Sequence, residues 1–209
     1  SMDVIRELNL EDLDPARHYQ TEYGMGSIID IFPKKYLILI QHPVTTEYED
    51  NLGNINQTIE AVKLLNMPTI WVMPNMDAGA NSINKAVRRF REIDNPKNIH
   101  FFKSLPIEFY APLLKNAACI LGNSSSGIRE SAFLGTPTVN IGTRQNGRER
   151  GKNVLDVAYD TSAIVSAVRS QIDYGSYEPD YLFGDGHAAK KIVNVLSNCS
   201  ISIQKTITY

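Results

Sequence analysis

Short apolar runs alternate along this chain with amphipathic segments of helical length, and that rhythm limits the folds open to it. The runs are YLILIQ (36–41), TIWVMP (69–74), IHFFKS (99–104), ACILGN (118–123), TPTVNIG (136–142) and, more weakly, NVLDVAY (153–159). Helical candidates lie near residues 54–66, 80–93, 106–116, 125–134, 161–173 and 186–197. In the first of these, Ile55, Ile59, Val62 and Leu65 recur at the spacing of one helix face. Strands apolar on both faces need cover on both sides. The pattern therefore predicts an α/β fold: a single Rossmann-like domain whose parallel sheet carries helices on both faces.

Residues 1–35 break the rhythm. They read as helical or loop pieces interrupted at Pro15, Gly24 and Gly26, and the front of the chain reads as truncated. The expected organisation is an N-terminal arm over 1–35, a Rossmann-like domain over 36–200 and a tail over 201–209. A content of 43% hydrophobic and 21% charged residues is ordinary for a chain that buries a core. A net charge of −2 offers no general attraction to nucleic acid or to an anionic membrane surface. No signal peptide is recognised and no apolar run reaches the ~18 residues that span a bilayer, so a cytoplasmic protein is expected. Cys119 and Cys199 lie far apart without metal-ligand spacing, and Cys119 reads as a buried thiol.

In an open parallel sheet, ligands bind beyond the carboxyl ends of the strands. The loops there are QHPVTTE with His42, PNMDAG with Asn75, SLPIEFY, GNSSSG and GTRQNGRERG. In GNSSSGIRE (122–130), Gly122 can end a strand in a conformation closed to other residues, and Ser124 or Ser125 can cap the next helix. The same helix start offers amides and hydroxyls to a phosphate. On these residues alone, a plain capped helix and an anion site both stand open. Neither a Walker loop ending in Gly-Lys-Ser/Thr nor Gly-x-Gly-x-x-Gly is present, which argues against P-loop and nicotinamide nucleotides. Glu130, five or six residues into the predicted helix, is either a solvated carboxylate or an acceptor for two vicinal hydroxyls, as on a ribose. Arg144, Arg148 and Arg150 crowd a glycine-rich loop that is either solvated or faces an anion. His42, at the ligand edge, suits acid–base work, though a lone histidine often serves structure instead.

Several of these segments together resemble one family. QHPVTTE, PNMDAG, GNSSSGIRE, FLGTPTVNIGTRQNGRERGKNVLDV and GDG are similar to the carboxyl-terminal half of the hydrolysing UDP-N-acetylglucosamine 2-epimerases. The resemblance covers nearly the whole chain from about residue 36, and the run from GTP to NVL is its most specific part. It implies one half of a glycosyltransferase-B fold, with UDP held in a cleft between two Rossmann-like halves. It implies that Ser124 and Ser125 bind the diphosphate, Glu130 the ribose hydroxyls and Tyr110 the uracil side, with Asn75 and Arg144 completing the UDP site. His42 matches a catalytic histidine near the diphosphate, and His-Pro-Val-Thr matches the hydrolysing branch where other members read His-Arg-Arg-Glu.

The family reaction is anti elimination of UDP across C1–C2 of the sugar, followed by addition of water. It yields a free N-acetylmannosamine-type sugar for sialic- or legionaminic-acid-type precursor synthesis. The implied partners are UDP or a UDP-N-acetylhexosamine and the amino-terminal domain of the same enzyme, with self-association a further expectation; no metal or cofactor is implied. The family's acidic residues that move protons belong to that amino-terminal half, so this chain alone is expected to bind UDP with little turnover. The alternatives are a glycosyltransferase-B half-domain and a non-catalytic UDP-sugar-binding module.

Overall fold

Alternate residues of a strand serve opposite faces of its sheet, and here the two faces carry two separate cores. In the computed structural model, which describes residues 2–14, 16–74 and 79–200, strand β1 spans Gly24–Gly26 and β2 spans Leu37–Ile40. Strands β3 (Thr69–Val72), β4 (Ile99–Phe102), β5 (Cys119–Gly122), β6 (Thr138–Ile141) and β7 (Val154–Val157) follow. Helices α1 (Met2–Glu7) and α2 (Ala16–Tyr23) precede β1, and α3 (Asn51–Leu65), α4 (Ala80–Arg89), α5 (Ile107–Asn116) and α6 (Glu130–Leu134) lie between strands. After β7 come α7 (Thr161–Tyr174) and α8 (Ala188–Asn198).

Leu37 and Leu39 of β2 join Trp71, Phe101 and Leu121 under α3, α4 and α7, against Ile55, Val62, Ile83, Val87, Ile164 and Val168. Ile38 and Ile40 point the other way, with Ile70, Phe102 and Ile120, against Phe109, Leu113 and Leu114 of α5 and Leu134 of α6. Each such side chain taken out of water contributes about 1.5–3 kcal/mol. Both faces of the central strands are thus apolar because both are covered.

The described strands form one sheet in the order β1-β4-β3-β2-β5-β6-β7. Neighbours run parallel from β4 to β7, as the sequence pattern requires. The edge strand differs from expectation: β1, in the stretch read as helix or loop, pairs antiparallel with β4, Gly24 opposite Phe102. The reason lies in the missing side chain, since a Cβ on Gly24 would fall 1.8 Å from His100 Nε2. The arm also feeds the second core, where Met2, Ile5, Ala16 and Ile29 are buried.

A second difference falls at the segment read as one helix over 125–134. The chain first makes a 3₁₀ turn, Ser125–Gly127, and α6 starts only at Glu130. Gly127 N–H bonds to Ser124 O at 3.1 Å and Ile128 N–H to Ser125 O at 3.0 Å, the short-range pattern of such a turn. The Gly127 carbonyl takes the Ser131 hydroxyl at 2.7 Å in place of the amide that a continuous helix would supply. Among the described residues, no helix is long and apolar enough to cross a membrane.

Candidate functional site

The strand order places the switch point. From β2 the chain steps outward through β3 and β4, then returns to the other side of β2 as β5. At such a reversal the loops beyond the strand ends diverge and leave a crevice. Ile40 and Gly122 are partners at that edge. Gly122 has φ +120°, and a Cβ there would lie 2.1 Å from Ile40 O. Only glycine lets β5 stay paired while the chain turns into the serine loop.

The serines line the crevice. Ser124 is extended, φ −74° and ψ 144°, and its hydroxyl accepts the Ser126 amide at 3.3 Å, capping the turn. A cleft of about 320 Å³ gathers Ser124, Ser125, Ser126, His42, Tyr110 and Arg144. Lys103 stands on its rim side, and Val72, Met73 and Leu105 form an apolar wall. The lining therefore carries two fixed cations and a row of hydroxyls, which suits an anion with an attached flat or apolar group. The Tyr110 and Ser126 hydroxyls lie 2.6 Å apart in a hydrogen bond. Burial pushes the Tyr110 hydroxyl well above the ordinary phenol range; the Ser126 bond opposes that shift and the nearby Glu130 carboxylate adds to it. Tyr110 is thus a neutral hydroxyl at any working pH.

The loop after β2 is held by carboxamides. Asn123, fully buried, accepts the His42 amide on Oδ1 at 2.6 Å and donates Nδ2 to the His42 carbonyl at 2.8 Å. Asn51 treats Val44 the same way, at 3.0 and 3.2 Å. On the loop after β6, Arg144 donates to Asn123 O at 3.3 Å and Gln145 Nε2 to the same oxygen at 2.7 Å. Thr143 donates to the Glu47 carboxylate, tying the two loops together. Arg150 is held against β7, donating Nε to both Asp156 oxygens at 3.0 and 2.7 Å. Of the loop arginines, Arg144 alone lines the cleft, and for Arg150 the anion is internal.

The sequence matches the family model described as UDP-N-acetylglucosamine 2-epimerase over residues 7–197. The chain belongs to this family. It is 30% identical over 210 residues to a UDP-N-acetylglucosamine 2-epimerase of Neisseria meningitidis, covering 98% of this chain and 52% of that protein. It is 30% identical to the UDP-N,N'-diacetylbacillosamine 2-epimerase (hydrolyzing) of Legionella pneumophila, covering 97% of this chain and 54% of that one. The chain thus spans about half the length of the curated relatives it matches. Its fold matches the crystal structure of Methanocaldococcus jannaschii UDP-GlcNAc 2-epimerase in complex with UDP-GlcNAc and UDP, with a TM-score of 0.67 at 16% identity. That match covers 94% of this chain and 52% of the solved one, and fixes the Rossmann-like α/β fold.

Within this member of the family, His42, Tyr110, Ser124, Ser125 and Arg144 come together in one cleft. Glu130 does not line it; as the first residue of α6 rather than a mid-helix position, it lies near Tyr110. Asn75 lies outside the described residues. The expected helix-start amides are a further correction, because those of Ser126, Gly127, Ile128 and Arg129 already have acceptors inside the turn. Hydroxyls and cations are what the cleft presents. Ser126 lay in the serine loop, Lys103 in the run IHFFKS and Asn123 at the end of the run ACILGN, and none was singled out by the sequence. The signal for Asn123 was its place directly after a strand-ending glycine, where a buried carboxamide can replace a ladder partner.

Proposed function

We propose that this chain is the UDP-binding half of a hydrolysing UDP-N-acetylglucosamine 2-epimerase, releasing UDP and a free 2-epimeric sugar when joined to its catalytic other half. The observation that carries the reading is the convergence of three serine hydroxyls, Arg144, Lys103 and His42 at the switch point of a 2-epimerase family member. Residues 36–200 form the nucleotide-binding unit, the 1–35 arm leads into it, and the substrate is a UDP-N-acetylhexosamine or a diacetamido relative. The hydrolyzing Legionella relative and the His-Pro-Val-Thr segment support the hydrolytic branch.

In this reading, Ser124, Ser125 and Arg144 stabilise charge that builds on the departing diphosphate, so their bonds strengthen toward the transition state. His42 stands beside the same group. Tyr110 lines the uracil side, and Glu130 reaches the ribose once ligand draws the loops together. The proton at C2 is removed by acidic residues of the other half.

Calorimetric titration with UDP tests the site. A charge-assisted hydrogen bond is worth about 1.5–3 kcal/mol, so Arg144→Ala should weaken binding by roughly 10- to 150-fold. Ser125→Ala should weaken it by about 2- to 10-fold. Unchanged affinity in both variants rejects the assignment. Given UDP-N-acetylglucosamine, the chain alone should bind without sustained release of N-acetylmannosamine.

A further inference from the structure

We infer that Asn123 is a positioning residue that holds His42, and with it the floor of the cleft, in the geometry that ligand binding needs; this rests on the UDP-binding reading above. Asn123 is fully buried and sits one residue past the end of β5. Its own amide donates to Ile40 O at 3.0 Å, carrying the β2–β5 ladder one step beyond Gly122. Past that step the ladder stops, yet the chain at His42 remains buried. Buried backbone must find partners, and a carboxamide carries the same donor and acceptor as a peptide. The Asn123 side chain therefore pairs with both backbone groups of His42, 81 residues away in sequence.

The two ends of Asn123 act on different residues. Its side chain reaches His42, through both backbone groups. Its carbonyl oxygen anchors Arg144 and Gln145. A change of side chain thus releases His42 while leaving the anchor of Arg144 in place. A merely structural role has no such asymmetry. Gln171 supplies a control: it is equally buried and donates to Thr138 O and Asn153 O at 2.8 Å each, away from the cleft.

Hydrogen exchange and calorimetry on the full chain test the inference together. In Asn123→Ala, amides over 42–47 should exchange at least about tenfold faster than in the wild type, and Gln171→Ala should leave them protected. UDP binding should weaken about tenfold in Asn123→Ala. Adding His42→Ala should then cost little more, whereas adding Arg144→Ala should cost its full factor. Should Asn123→Ala fail to fold, Asn123→Asp replaces it. An aspartate oxygen facing the His42 carbonyl repels it unless protonated, so affinity relative to wild type should recover on going from about pH 8 to about pH 5.

Unchanged exchange over 42–47 overturns the inference, as does full additivity of His42→Ala and Asn123→Ala. Faster exchange in Asn123→Ala, together with a wild type that binds no UDP, rejects the UDP reading and keeps the positioning role. Wild-type UDP binding matched by Asn123→Ala does the reverse.

Discussion

Gly122→Ala should uncouple the strands that build the crevice. Gly122 holds φ +120°, and an added Cβ would meet Ile40 O at 2.1 Å, Ile40 C at 2.6 Å and Ile40 N at 3.2 Å. The contacts are backbone, so no rotamer change relieves them. Forcing an L-residue into this region costs about 1–3 kcal/mol, and overpacking adds about 1–3 kcal/mol. The total, about 2–6 kcal/mol, is a large share of the ~5–15 kcal/mol that holds a domain together. For a chain of this size the melting temperature should fall by roughly 5–20 °C. Gly53→Ala is the matched control, because it lies in α3 with nothing within 4 Å of a new Cβ. There alanine should raise stability by about 0.5–1 kcal/mol. Thermal melts followed by circular dichroism read both. A Gly122→Ala protein that melts within about 2 °C of wild type would refute the argument.

Tyr36→Phe removes a buried hydroxyl that donates to Leu113 O at 2.6 Å, and should cost about 1–3 kcal/mol in urea denaturation at neutral pH. Burial pushes the Tyr36 hydroxyl well above its ordinary value of 10.0, and that of Tyr159 up to about 12. Above that ordinary value the unfolded chain loses these protons while the folded one keeps them, so stability falls as pH rises. The gap between wild type and Tyr36→Phe should therefore narrow in alkaline titrations. Asp160 caps α7, accepting the Ala163 amide at 2.8 Å, and its bonds to Ser162 and Ala163 hold its carboxyl below the usual 3.8. Its stabilisation is full above that value and lost as pH falls through the lowered one. The denaturation midpoint of Asp160→Ala should lie below wild type at neutral pH and approach it in acid.

The core was legible because burial on two faces writes itself into adjacent letters. Leu37-Ile38-Leu39-Ile40 alternates between two helical layers, and both layers are apolar. Four of the residues that meet in the cleft, His42, Ser124, Ser125 and Arg144, were legible for a related reason, since each sits just past a strand end, whereas Tyr110 lies within α5. What escaped depends on contacts between distant segments. β1 exists because Gly24 lets backbone approach His100, a fact that three letters, Gly-Met-Gly, do not display. The break before α6 depends on Ser131 capturing the Gly127 carbonyl, and a serine in a helical pattern carries no such mark.

One device recurs at the places the sequence pattern could not reach. Gln20 pairs with both backbone groups of Ile29 at 2.9 and 3.0 Å, Asn51 with those of Val44, and Asn123 with those of His42. Each clamped residue is buried yet lies outside the strand ladders. Where a chain leaves the strand ladder but stays buried, its backbone groups lose their strand partners and water cannot serve them. A carboxamide solves this at one residue's expense while leaving the outer side of the loop open. At β2 and β5 the consequence is functional geometry. The serine turn is local, built by contacts between near neighbours, whereas His42 owes its place to a side chain on another loop. The Asn123 side chain thus ties the position of His42 to that of the loop after β5, which carries the serines.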